Sequence, residues 1–572
     1  EINFKNVSYI GTQAFDKCKY ITGITVKEGC CIADRAFKEC ISLKTVNGNW
    51  EPGFSASQYP AVPENSEYAT ANIECAPFYR TQYLTHFYDH TFYTLKTVKN
   101  GTHSVAGGPF NSGSEYWQEN GFVLKVNGND LCDYFRLDIN EGDTITVPAT
   151  VHGKSVLRVS ANFDLTKDVH YKIIFSEGVT ELYGCKLSNA SEVTLPQNSL
   201  RSIRGNTFRD NTTLQELTLP ASIEELSGTF YRCSGLKVLT FATNEAGQSK
   251  LRSLGESTFH QFAFKDGTLT LPEGITEIGQ DTFSNSGIKE LNLPSTLRKI
   301  GKLAFSQAIV HSPLKLPEGL TDIETEAFSG NYTTQITFPS TLKHMGERAF
   351  YKSGITEVNL AGTNLTSIPN YAFAECASLK KVTLGDKITS IGNNAFFKLK
   401  GLNELTFGSG LKTIGSYAFS DCRFRNGEAD QPLMLDFPDS VEKIGDYAFY
   451  GWKDSPVSID LKAGKLPANL KTLGKYAFEY TELTSVTIPE GLTVIPEKAF
   501  YGTNELVKVT LHNGISEICW DAFGREKNSE GKRLQFSYPT DETSEPGKLI
   551  LPLSLKKLGN SSLGAASLND IT

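Results

Sequence analysis

Two imidazoles stand four residues apart in His86-Phe87-Tyr88-Asp89-His90. On a helix they would share a face and suit metal ligation. The stretch is full of aromatics and reads equally well as a strand, where the two positions share a face but lie far apart. Phe87 stands where a helical zinc-protease motif needs glutamate, so no metal site is expected and the pair reads as surface or packing histidines. Gly153-Lys154-Ser155 has the ending of a phosphate-binding loop, but Pro148 stands where that loop needs its first glycine, and the cradle fails. Gly408-Ser409-Gly410 lies in a turn and lacks the setting of a dinucleotide fingerprint. Eleven cysteines are present, an odd number that argues against a complete disulfide framework. No nucleophile elbow or other catalytic constellation stands out, so neither an enzyme nor a cofactor is expected.

The elements that would position any site are set by a repeat. Leu291-Asn292-Leu293-Pro294, Leu297, Ile300-Gly301 and Ala304-Phe305 recur at the same offsets as Val486-Thr487-Ile488-Pro489, Leu492, Ile495-Pro496 and Ala499-Phe500. Val382-Thr383-Leu384, Ile388, Ile391-Gly392 and Ala395-Phe396 keep them again. Seventeen phenylalanines occupy the last motif position: Phe15, Phe37, Phe163, Phe208, Phe230, Phe259, Phe283, Phe305, Phe328, Phe350, Phe373, Phe396, Phe419, Phe449, Phe478, Phe500 and Phe523. Most are spaced by 22 to 24 residues. Leu187 and Leu563 stand near that position in degenerate units. The apolar-x-apolar alternation predicts a strand with two side chains inward and one outward. The following proline, as at Pro220, Pro294 or Pro489, cannot donate to a ladder and stops the strand. Glycine three residues before the Ala of Ala-Phe, as at Gly301, Gly346 and Gly474, fits a turn needing positive φ. One unit cannot bury its apolar face but a stack can, with the strands aligned in parallel. The expected fold is therefore a β-rich repeat solenoid with a parallel concave sheet.

The pattern Leu-x-x-Val-x-Ile-Pro-x-x-Leu-x-x-Ile-Gly-x-x-Ala-Phe-x-x-Cys resembles the bacterial leucine-rich repeat of BspA-like surface proteins. It covers residues 1–46 and about 145–572. The resemblance implies an extracellular or cell-surface protein engaged in adhesion to host proteins or other cells. Cys18, Cys40, Cys233, Cys376 and Cys422 each lie three residues after a motif phenylalanine, and buried thiols are expected there. Cys18 and Cys40, one repeat apart, are close enough to tempt a bridge.

The chain divides into two repeats over 1–46, a non-repeat insertion or small β-containing module over 47–144, and a solenoid over 145–572. Phe122–Asn129 and Phe135–Ile139 are expected strands, with Asn127-Gly128 as a turn signal. Longer repeats carry additions at 242–250, 423–431, 451–464 and 525–547, read as surface loops. The chain opens partway through a repeat with no basic or long apolar leader, as a trimmed or processed chain would. No run approaches the ~20 apolar residues of a membrane-spanning helix. The formal net charge is −8, and no Lys/Arg stripe suggests a nucleic-acid partner.

Two surfaces are candidates for binding. The outward middle position of each strand forms a polar row, represented by Thr218, Thr270, Asn292, Lys315, Thr337, Asn359, Thr383 and Thr406. It reads either as β-propensity on an exposed sheet or as a shallow surface for a protein from the host or a neighbouring cell. The insertion's aromatics, among them Trp50, Tyr88, Tyr93, Tyr116 and Trp117, read either as a small core or as rings for stacking on a glycan. The function expected is adhesin- or receptor-like protein binding, with carbohydrate binding by the insertion as the alternative and an enzyme in the insertion as a distant third.

Overall fold

The structure is a computed structural model. It describes residues 2–52 apart from 12, 28–29, 33–35, 38–39, 41–42, 44 and 48–49. It also describes the strands His86–Phe87, Tyr116–Glu119, Phe122–Asn127 and Asp130–Arg136, and residues 141–571 apart from 152–153, 162, 164–168, 246, 425–430, 525–533, 538–547, 550 and 564–569. Among the described residues the chain is a parallel β-solenoid of about 17 turns with almost no helix. It falls into two compact units, Glu1–Ala242 and Thr243–Thr572.

A turn is built from three segments. The first strand carries the apolar-x-apolar motif: in Glu357–Asn359, Val358 is buried and its neighbours are exposed. A second strand, not anticipated from the motif, follows the proline: Lys299–Ile300 pairs in parallel with Glu277–Ile278 and with Asp322–Ile323. The third segment runs through Ala-Phe. It is not a strand, yet it pairs turn to turn. Leu303, Phe305 and Gln307 donate their N–H groups to the carbonyls of Thr325, Ala327 and Ser329 at 3.2, 2.7 and 2.8 Å. This alternation continues through Arg348, Phe350 and Lys352 and through Tyr447, Phe449 and Gly451. The third segment therefore satisfies its backbone as a ladder would.

The glycine expectation needs correction. Gly301, Gly346 and Gly474 do not have positive φ. Glycine serves there because the preceding turn is too close for a side chain: a Cβ on Gly346 would lie 2.2 Å from the Thr325 nitrogen, and one on Gly474 2.3 Å from the Asp446 nitrogen. Positive φ falls instead on non-glycine residues two before and two after the phenylalanine, such as Arg348 and Lys352 at φ 56° each. Such conformations carry a steric cost, here offset by two inter-turn hydrogen bonds.

Inside, the phenylalanines form a column. In the second unit Phe259, Phe283, Phe305, Phe328 and Phe350 stack in sequence with centroids 4.9 to 5.2 Å apart. The column continues through Phe373, Phe396, Phe419, Phe449, Phe478 and Phe500 to Phe523. All are buried, each contributing roughly 1.5–3 kcal/mol of apolar burial. In the first unit Phe208 stacks on Phe230 and Phe15 on Phe37. Leu187 takes the same buried position, whereas Leu563 is half-buried.

In the first unit the opening turns pair through Ile2–Phe4, Gly23–Val26, Thr45–Asn47 and His86–Phe87, and through Tyr9–Ile10, Cys30–Ile32 and Trp50–Pro52. Tyr116–Glu119, Phe122–Asn127 and Asp130–Arg136 form an antiparallel meander. Asn127 faces Asp130 across the expected turn, and the strand after it begins earlier than the sequence suggested. Asp130–Leu131 then pairs in parallel with Arg158–Val159. The meander thus continues the ladder of second strands and covers an edge that would otherwise present unpaired backbone groups.

Candidate functional site

The outward row lies where the alternation placed it. In the first unit Thr218 is exposed and faces Thr240 in register. In the second, Thr270, Asn292, Lys315, Thr337, Asn359 and Thr406 are exposed, and Thr383 is half-buried. Asn292 Nδ2 donates to Thr270 Oγ1 at 3.2 Å. Asn359, Thr383 and Thr406 stand in one register. Beside them Lys381 bridges Glu357 and Glu404 at 3.9 and 3.0 Å, so this part of the row is balanced in charge. Asp460, at the equivalent outward position, is buried. Its carboxylate accepts from Thr484 N and Oγ1 at 3.1 and 2.6 Å.

Of the insertion aromatics, Tyr88 and Tyr93 lie outside the described residues, as does His90. Trp50 lies in the strand Trp50–Pro52, and Tyr116 and Trp117 in the first strand of the meander. His86 lies in a strand rather than on a helix. Among the described residues no cluster of His, Cys, Asp and Glu is arranged to hold a metal ion. None of their helices is long and apolar enough to cross a membrane.

Of the five cysteines that follow a motif phenylalanine, Cys40, Cys233, Cys376 and Cys422 are buried as expected, whereas Cys18 is only half-buried. Cys40, Cys376 and Cys422 donate their thiols to the carbonyls of Phe15, Phe350 and Phe396 at 2.9, 3.0 and 3.0 Å. Burial pushes the Cys376 thiol up to about 11 and Cys233 up to about 12, which keeps both protonated and unreactive. Cys18 and Cys40 do not bridge. Asn331 does the cysteine's work in its turn, donating Nδ2 to the Phe305 carbonyl at 3.0 Å.

A further surface went unnoticed in the sequence. The residue two before the phenylalanine has positive φ, and its side chain projects from the third segment. At Tyr417, Tyr447 and Tyr476 it is tyrosine, and the rings stack at 4.7 and 4.5 Å, nearly parallel. Tyr450 packs edge-on against Tyr447, and Trp452 edge-on against Tyr450. Trp452 is 55% exposed and Tyr417 37%. Tyr476 donates its hydroxyl to Glu497 Oε1 at 2.7 Å, and Lys475 holds the other oxygen at 3.0 Å. That hydrogen bond, then burial, raises the Tyr476 phenol above its ordinary range. Burial, with help from nearby carboxylates, does the same for Tyr447 and Tyr450. The available signal was tyrosine directly before three successive Ala-Phe pairs.

The family model described as the BspA type leucine rich repeat region matches in six copies over residues 1–51, 178–311, 310–425 and 433–536. The chain belongs to this family. Among solved structures, a leucine-rich repeat protein from Bacteroides ovatus is similar at 20% identity, over 74% of this chain and 98% of that one, with a TM-score of 0.43. A leucine rich cell surface protein from Faecalibacterium prausnitzii is 18% identical over 80% of this chain and 98% of its own, with a TM-score of 0.33. The pneumococcal vaccine antigen PcpA, at 18% identity, has the same two coverages and a TM-score of 0.28. No curated protein matches the chain.

Proposed function

We propose that this BspA-type repeat protein is an extracellular or cell-surface adhesin- or receptor-like protein that binds a protein partner and performs no catalysis. The observation that carries the reading is the outward row. Thr270 to Thr406 repeat one polar position over successive turns, exposed at each except the half-buried Thr383, on a backbone held by inter-turn hydrogen bonds. A surface ordered in advance loses little conformational entropy on binding, so many weak contacts can sum. The row, with Thr218 in the first unit, is the proposed contact surface.

The test is a screen of the full chain against purified extracellular proteins and a glycan array, beside a variant carrying Thr270→Glu and Thr337→Glu. Saturable protein binding weakened by the variant supports the reading. Glycan binding that survives the variant and is lost with Trp117→Ala would move the function to the insertion and overturn it.

A further inference from the structure

The phenylalanine segments show on their own surface what their aromatic side chains accept. Arg348 sits 5.0 Å over the Tyr371 ring, Lys352 5.0 Å over Tyr351 and Lys398 4.8 Å over Phe397. Lys498 lies over three rings, those of Tyr476, Tyr501 and Trp520, at 5.8, 4.6 and 5.0 Å. Between these cation-covered places runs the ridge of Tyr417, Tyr447, Tyr450 and Trp452. Among the described residues, no cation of the chain lies over any of these four rings.

The charges around the ridge point the same way. Burial chiefly raises the Tyr450 and Tyr447 phenols, with Asp421 and the buried Glu479 adding to it at Tyr450, and Glu479 and Glu497 at Tyr447. Asp446, beside Tyr447 in sequence, is exposed. The Glu497 carboxylate is engaged by Tyr476 and Lys475, and the chain as a whole is acidic, at −8. An electron-rich ring beside carboxylates attracts a cation twice over, through its quadrupole and through charge. The inner faces of the tyrosine column are closed against one another. What remains exposed is Trp452, at 55%, and part of Tyr417, at 37%.

We propose that Trp452 and Tyr417, the exposed rings of this ridge, are the docking site for an arginine- or lysine-bearing segment of a protein partner, whose cations take the ring surface that the stacked column leaves exposed. Arginine fits better than lysine, because its planar guanidinium stacks on a ring while its edge hydrogen-bonds carboxylates such as Asp421. The proposal rests on the protein-binding reading above and assigns it a second contact surface.

The experiment uses the full chain and a fluorescein-labelled peptide of alternating Arg and Ser. The comparison peptide carries neutral citrulline in place of every Arg, and binding is followed by anisotropy at physiological salt. The Arg peptide binds saturably and the citrulline peptide at least about tenfold more weakly. Trp452→Ala and Tyr417→Ala each weaken the Arg peptide severalfold, whereas Tyr332→Ala, at an exposed aromatic away from the ridge, leaves it unchanged. Trp452 lies in an exposed loop, so its variant keeps the wild-type unfolding curve. Equal binding of the two peptides, no saturable binding, unchanged affinity in both ridge variants, or a neutral glycan that binds and is lost with Trp452→Ala would each overturn the proposal. If the protein screen finds a partner while the Arg peptide fails, the ridge assignment falls and the protein-binding reading stands.

Discussion

Thirty residues separate Tyr417 from Tyr447 and twenty-three separate Leu303 from Glu326, yet each pair occupies equivalent positions on adjacent turns. The extra residues at 423–431 leave the phenylalanine segments in register: Tyr417, Phe419 and Asp421 still donate to Asp446, Ala448 and Tyr450 at 2.9, 2.8 and 2.8 Å. The stretch from second strand to phenylalanine keeps its length, whereas the stretches on either side of the first strand absorb insertions, as after Phe419 and between Phe241 and Ser253. The hydrogen bonding follows this division. In the second unit, inter-turn bonds from the residue two before the phenylalanine run from Ser257 through every turn to Asp521, which donates to Asn560 at 3.0 Å. The first strands there form separate sheets of two or three. At Gly346, where a Cβ would stand 2.2 Å from the Thr325 nitrogen, an added residue has no room, whereas a surface loop accommodates one at small entropic cost.

The comparison can be broken most severely at the column. Phe350→Ala removes a buried ring stacked between Phe328 and Phe373 and should cost ~3–5 kcal/mol in local stability, read as lost amide protection around residues 328–373. Gly346→Ala should cost ~1–3 kcal/mol by forcing the Thr325 backbone aside. An added glycine after Ser312, on the variable side, should shift the denaturation midpoint far less; a comparable loss would erase the distinction. Asn331→Ala strips the Phe305 carbonyl and Thr333 N–H of a buried partner, at ~1–3 kcal/mol, and Asn331→Cys should recover part of it.

The smallest effect is one of pH. Glu273 accepts from Ser295 N at 3.0 Å and Ser295 Oγ at 2.9 Å, and from Thr296 N at 3.3 Å. The Ser295 N–H chiefly holds its carboxyl below the ordinary range. A folded-state pKa that is depressed contributes stability above the unfolded value and loses it as pH falls through the folded one. Between about pH 5 and about pH 3, wild type should therefore lose slightly more stability than Glu273→Gln, as thermal unfolding at each pH will show.

The sequence was most informative where one residue type answers to one constraint. The phenylalanine column and first strands follow from apolar offsets that no other packing satisfies. The second strands are as short as two residues, as at Lys299–Ile300, too short for alternation to mark them. Gly346 was recognised as special, but its cause lies in the adjacent turn, which one repeat read alone does not display. Asp460 stands at the outward register position, and the carboxylate's hydrogen bonds to Thr484 show why it is buried. The outward row was legible from period-two alternation. The aromatic ridge was not, because Tyr417, Tyr447 and Tyr476 sit beside the strongest motif in each turn and point away from the core only through positive φ.

Native-state hydrogen exchange tests the division between fixed and variable stretches most directly. The account predicts that the amides of Leu303, Phe305, Phe350 and Phe449 exchange more slowly than those of Ile336, Val358 and Leu433 in the first strands. Equal or reversed protection would contradict it.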